Sequence, residues 1–80
     1  MRKALREVPL HLRQEFSECT KCHAYSDFVY ITDLQREERK MLLRVYSEET
    51  IIAECTRCNF RRYINGITGK RIKKKIIPFF

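Results

Sequence analysis

The amino-acid sequence predicts a small α+β domain in which an antiparallel sheet is drawn together by two Cys-x-x-Cys turns. Three observations predict it. The chain has 80 residues, and at that size a hydrophobic core alone leaves little margin of stability, so a metal or disulfide staple is expected. Its four cysteines form two near-identical tetrapeptides, CTKC and CTRC, in the pattern C-x2-C-x32-C-x2-C. Stretches rich in Tyr, Phe, Val and Ile adjoin both pairs, as strands do, while the residues before and between them include segments that favour helix.

Composition narrows the classes. At 44% hydrophobic residues the chain is too apolar to be wholly disordered. The longest uncharged apolar run elsewhere than the start is Ile76 to Phe80, far short of a membrane span. The start, MRKALREVPLHLRQEF, is basic but has no apolar core of a signal peptide. A reducing, cytoplasmic location is therefore expected, or a nuclear one if the host has a nucleus. Residues 1–80 are expected to form a single domain with a basic C-terminal segment, 57–80.

The elements follow in order. Pro9 suits the first turn of a helix, and Leu12 and Phe16 are spaced to share its face, which predicts a short helix over 9–17. AYSDFVYIT predicts a strand over 25–32. DLQREERKMLLRVYSEE, residues 33–49, is rich in helix formers. Thr32 to Gln35 resembles a capping box, and Leu34, Met41, Leu42 and Val45 can form one stripe. An inserted helix is preferred there, with a long β-hairpin tipped near Glu38-Arg39 as its rival. ETIIAEC predicts a strand entering the second cysteine pair. Beyond it, Asn65-Gly66 predicts a two-residue hairpin turn and Gly69-Lys70 a second reversal.

The cysteines decide the chemistry. CTKCH alone matches a haem-attachment motif, but that leaves Cys55 and Cys58 unused, with Asn59 where a second histidine would stand. A redox pair suits two near-identical copies poorly. Two Cys-x-x-Cys turns brought together instead offer four sulfurs in a tetrahedron, the donor set of a zinc site. Cys19, Cys22, Cys55 and Cys58 are the expected ligands of one structural Zn²⁺, and His23 is expected to be a surface neighbour. Four thiolates leave no open position, so the metal is expected to support folding and perform no catalysis.

The arrangement resembles the zinc ribbons of transcription proteins. These include the C-terminal ribbon of elongation factor TFIIS and the small ribbon subunits of multisubunit RNA polymerases. The likeness spans about residues 17–64. It rests on the four cysteines, on Thr50-Ile51-Ile52 leading into the second pair, and on Arg61-Arg62 after it. It implies a zinc-ribbon-like fold and a role in transcription. The spacer between the pairs is longer here. The Asp-Glu pair of transcript-cleavage ribbons has no matching motif, because Glu37-Glu38 and Glu48-Glu49 lie in different surroundings. Tyr30-Ile31-Thr32-Asp33 also resembles a stretch in small zinc-binding late-transcription activators of phages.

Charge points to the partner. The formal net charge is +7, and it is concentrated. Residues 1–56 hold nine Lys/Arg against ten Asp/Glu, whereas 57–80 hold eight Lys/Arg and no acid. Arg57, Arg61, Arg62, Lys70, Arg71, Lys73, Lys74 and Lys75 are therefore the expected nucleic-acid contacts, with DNA favoured over RNA. Phe60 and Ile64 are expected in the core. The resulting expectation is a non-enzymatic, zinc-binding, DNA-binding transcription regulator, with RNA polymerase as a candidate partner and neither membrane nor small-molecule substrate. The alternative is a structural zinc-ribbon component of a ribonucleoprotein or polymerase assembly. A third reading, an accessory that delivers carboxylates to a polymerase active site, would rest on Glu37 and Glu38.

Overall fold

Pro9 cannot donate a backbone hydrogen bond, and it marks the start of the first helix. In the computed structural model, which describes residues 6–73, Pro9 caps helix α1, Leu10–Glu15, and its carbonyl accepts from the N–H of Leu12 and Arg13. Leu12 is buried and Phe16 half-buried against the same core, as their spacing predicts.

The predicted strand over 25–32 ends earlier than expected. Strand β1 is Ser26–Tyr30, and Ile31–Asp33 turn into a single 3₁₀ turn. The intervening segment is helical, as preferred over the hairpin, but short: helix α2 is Arg36–Leu43. The capping box does not form. Leu34 is extended and buried, Gln35 takes the cap position without a side-chain bond, and the Thr32 hydroxyl instead accepts from Arg6 Nη2. Leu34 before the helix and Tyr46 after it are both buried in the same core. Of the predicted stripe, Leu34 and Leu42 are buried and Val45 packs against them, but Met41 is exposed.

Strands β2, Thr50–Cys55, β3, Arg61–Asn65, and β4, Arg71–Ile72, complete an antiparallel sheet in the order β1-β2-β3-β4. The turn between β3 and β4 is longer than the two residues that Asn65-Gly66 predicts. Gly69 N–H donates to the Asn65 carbonyl, and the Asn65 side chain accepts from Ile67 and Thr68 N–H. Gly69, at φ +74°, supplies the left-handed residue. Gly66 serves a different purpose. Its N–H donates to the Glu49 carbonyl, and a Cβ there would collide with that oxygen.

Alternation along the strands builds two cores. Val29, Ile52, Tyr63 and Ile72 align across one face and are covered by Leu34, Leu42 and Tyr46. Tyr63 stacks on Tyr46, ring centroids 4.4 Å apart. On the other face Ile51, Ala53 and Ile64 pack under Val8 and Leu12 of the N-terminal segment. Strand β2 is consequently apolar on both sides, which explains its unbroken TIIA run. Full burial of each such aliphatic side chain stabilises by roughly 1.5–3 kcal/mol. The result is a small α+β fold with the two cysteine turns at one end of the sheet.

Candidate metal centre and cationic surface

Each cysteine pair forms the same turn. In the first, Cys19 N–H donates to the Ala24 carbonyl at 2.7 Å and His23 N–H to the Cys19 carbonyl at 2.8 Å. In the second, Cys55 N–H donates to Phe60 at 2.9 Å and Asn59 N–H to Cys55 at 3.1 Å. Lys21 N–H points at Cys19 Sγ, 3.4 Å, and Arg57 N–H at Cys55 Sγ, 3.3 Å. The residue after each second cysteine is left-handed, with φ +57° at His23 and +61° at Asn59. His and Asn are among the non-glycine residues that tolerate this region best. The histidine of CTKCH is thus accounted for by backbone geometry: it is exposed and occupies the position Asn59 holds in the other turn.

The two turns face each other. Cys22 and Cys55 Sγ are 3.2 Å apart, Cys19 and Cys58 3.6 Å, and Cys22 and Cys58 3.6 Å. All four sulfurs lie within 4.8 Å of one another, and none is in a disulfide. Four sulfurs at about 2.3 Å from a central Zn²⁺ would be separated by about 3.8 Å. The cluster is therefore positioned to hold one metal ion, and its soft all-sulfur donor set suits zinc.

The two buried thiols, Cys19 and Cys55, are shifted toward the thiolate, and Cys22 is shifted away from it. Burial opposes ionisation of Cys55, but the N–H groups of Cys58 and Arg57 outweigh it and bring the thiol down to about 6. Cys22 is pushed up to about 12, chiefly by its hydrogen bond to Cys55. Cys19 is lowered despite burial, because Cys22 and Lys21 N–H groups point at it. Thr56 joins the second turn to the first, its N–H and hydroxyl both donating to the Tyr25 carbonyl.

The predicted nucleic-acid residues separate into three groups. Arg57, Lys70, Arg71 and Lys73 are exposed. Arg61 is committed within the molecule, bonding Glu54 at 2.9 Å and Glu38 on α2 at 2.8 Å, and these carboxylates raise its already high pKa against the opposing effect of burial. Arg62 is buried, 4% exposed, and its Nη2 donates to the Phe16 carbonyl at 2.8 Å and to Ser26 Oγ at 2.7 Å. Lys74 and Lys75 lie outside the described residues, as do Pro78, Phe79 and Phe80. The structure thus brings Arg57 to the cysteine end and Lys70, Arg71 and Lys73 to the β4 edge, and directs Arg61 and Arg62 inward.

Ile64 is core, as expected, and Phe60 is half-buried. Lys21 was not among the expected contacts. It is exposed in the position equivalent to Arg57, with Nζ 4.6 Å from the centre of the Phe60 ring. The echo of CTKC in CTRC was the signal for it. An open groove of about 500 Å³ beside the first turn is lined by Phe16, Cys19, His23, Arg62 and Arg71, which sets Arg71 on that side of the metal centre. Among the described residues, no helix is long and apolar enough to cross a membrane.

No family model matches the chain, and comparison with curated proteins and with solved structures gives no significant match. The cysteine geometry on a small antiparallel sheet is consistent with a zinc ribbon.

Proposed function

We propose that the chain is a non-enzymatic transcription regulator that binds one structural Zn²⁺ through Cys19, Cys22, Cys55 and Cys58 and contacts nucleic acid, duplex DNA foremost, through its basic C-terminal third. RNA polymerase is the protein partner this reading implies. The single observation that supports it is the segregation of charge: eight cations and no acid after residue 56. Arg57, Lys70, Arg71 and Lys73 are exposed, and Arg57 sits on a turn that the metal would hold rigid. Fixed cations neutralise phosphates and release condensed counterions, so binding of this kind is steeply salt-dependent. Arg57 can also fork onto a phosphate or a guanine edge with a rigid planar group, where Lys acts more as a point charge. The metal, closed by four thiolates, contributes folding free energy and leaves the chemistry of recognition to the surface.

The test is fluorescence anisotropy of the zinc-loaded protein with labelled duplex DNA and single-stranded RNA across a salt series. A slope of log affinity against log salt of about −4 to −6 on duplex, corresponding to roughly five to seven phosphates, is expected. Absence of binding at low salt would contradict the proposal and favour a structural role within a larger assembly.

A further inference from the structure

Arg62 is out of place by ordinary rules. Its side chain lies on the same face of β3 as Ile64, beneath α1, and is 4% exposed. A buried guanidinium is costly unless a negative charge accompanies it. Yet among the described residues no carboxylate forms an ion pair with Arg62, and its two hydrogen-bond acceptors, Phe16 O and Ser26 Oγ, are neutral. Its Nε is buried with no hydrogen-bond partner at all. Arg61 next to it, half-buried, has two carboxylates.

The missing charge is at the cysteine end. Ser26, to which Arg62 bonds, stands directly opposite Cys55 in the β1–β2 register. Phe16, whose carbonyl it also holds, lies three residues before Cys19. Cys19 and Cys55 are the two fully buried members of the cluster. Burial works against the charge of Arg62 and so does the neighbouring Arg71, whereas Cys19 and Cys55 favour it. One Zn²⁺ held by four thiolates carries a net charge of about −2.

We infer that Arg62 is the fixed countercharge of the metal centre, and that it ties the end of α1 and the start of β1 to that centre. On this account Arg62 contributes to metal retention through its charge, without being a ligand. Groups hydrogen-bonded to metal ligands typically alter affinity about 10–100-fold when removed, and the charge of Arg62 is expected to act at the lower end of that scale.

The experiment is competition for Zn²⁺ with a chromogenic chelator, using the full chain and the variants Arg62→Gln, Arg62→Lys and Ser26→Ala. Titration with Co²⁺ checks that each variant still presents four sulfurs, through the intensity and position of its visible absorption. Arg62→Gln keeps a hydrogen-bonding head and loses the charge, and is expected to weaken zinc binding at least tenfold. Ser26→Ala removes one neutral acceptor and is expected to stay within about threefold of the native protein. Native affinity in Arg62→Gln, or an equal loss in Ser26→Ala, would overturn the inference. Should Arg62→Gln fail to fold, Arg62→Lys decides. Affinity within about tenfold of native supports a charge effect, and a loss of a hundredfold or more with the charge retained overturns it.

Discussion

The two cysteine turns share a hydrogen-bond pattern and differ in how the rest of the chain holds them. The second joins β2 to β3, the central pair of the sheet, whose register runs from Thr50–Asn65 to Glu54–Arg61. The first lies between α1 and β1, and its flanks meet in a single bridge, Glu18 to Tyr25. One turn is therefore an extension of a hairpin that packs on both faces. The other is attached by a few backbone bonds, by the side chain of Thr56, by the bonds of Arg62 to its flanks at Phe16 and Ser26, and by any metal that joins the sulfurs. The lesson is that a metal joining the sulfurs would matter most to the first turn, because the second already has a sheet behind it.

Within each turn the two ligands are also unequal. Cys19 and Cys55 are buried, while Cys22 is half-buried and Cys58 exposed. This asymmetry gives the largest expected effect. Cys55→Ser removes a buried sulfur at the end of β2 and should abolish both metal binding and the cooperative thermal transition, since zinc binding is worth about 10–16 kcal/mol in zinc-finger peptides near neutral pH. Cys58→Ser, at the exposed corner, should retain weaker binding with water completing the coordination. Circular dichroism melts with and without zinc would show this, and equal behaviour of the two variants would remove the asymmetry. A smaller effect separates backbone from side chain. His23→Val and Asn59→Val should each destabilise by roughly 1–2 kcal/mol, because a β-branched residue resists the left-handed region. Glycine at either position should be tolerated. Denaturant midpoints would measure both, and a large loss in His23→Gly would mean that the imidazole itself has a task.

Much of this architecture was legible in the sequence because it is local. Paired cysteines announce their turns, the run of β-branched residues announces β2, and Leu12 with Phe16 announces the buried face of α1. What escaped depends on register and on contacts distant in sequence. Arg61 finds Glu54 across the sheet and Glu38 on a helix 23 residues earlier, a contact that no local pattern carries. Arg62 was legible after all: once Ile64 is assigned to the core, a period of two places Arg62 on the same buried face. Net charge concealed that, since it counts an arginine without regard to the side of the strand it occupies. The Asn65-Gly66 turn misled for a related reason. That glycine is required by the close approach of Glu49, and the reversal is completed by Gly69.

The central claim is that one metal ion, held by all four cysteines, joins the two turns. It is tested most directly by determining the metal content of the purified protein and then titrating the apoprotein with Co²⁺ under reducing conditions. One zinc per chain and saturation at one Co²⁺, with the strong visible and thiolate charge-transfer bands of a tetrahedral four-sulfur site, is the predicted result. Absence of bound metal together with a melting curve unchanged by chelator would contradict it.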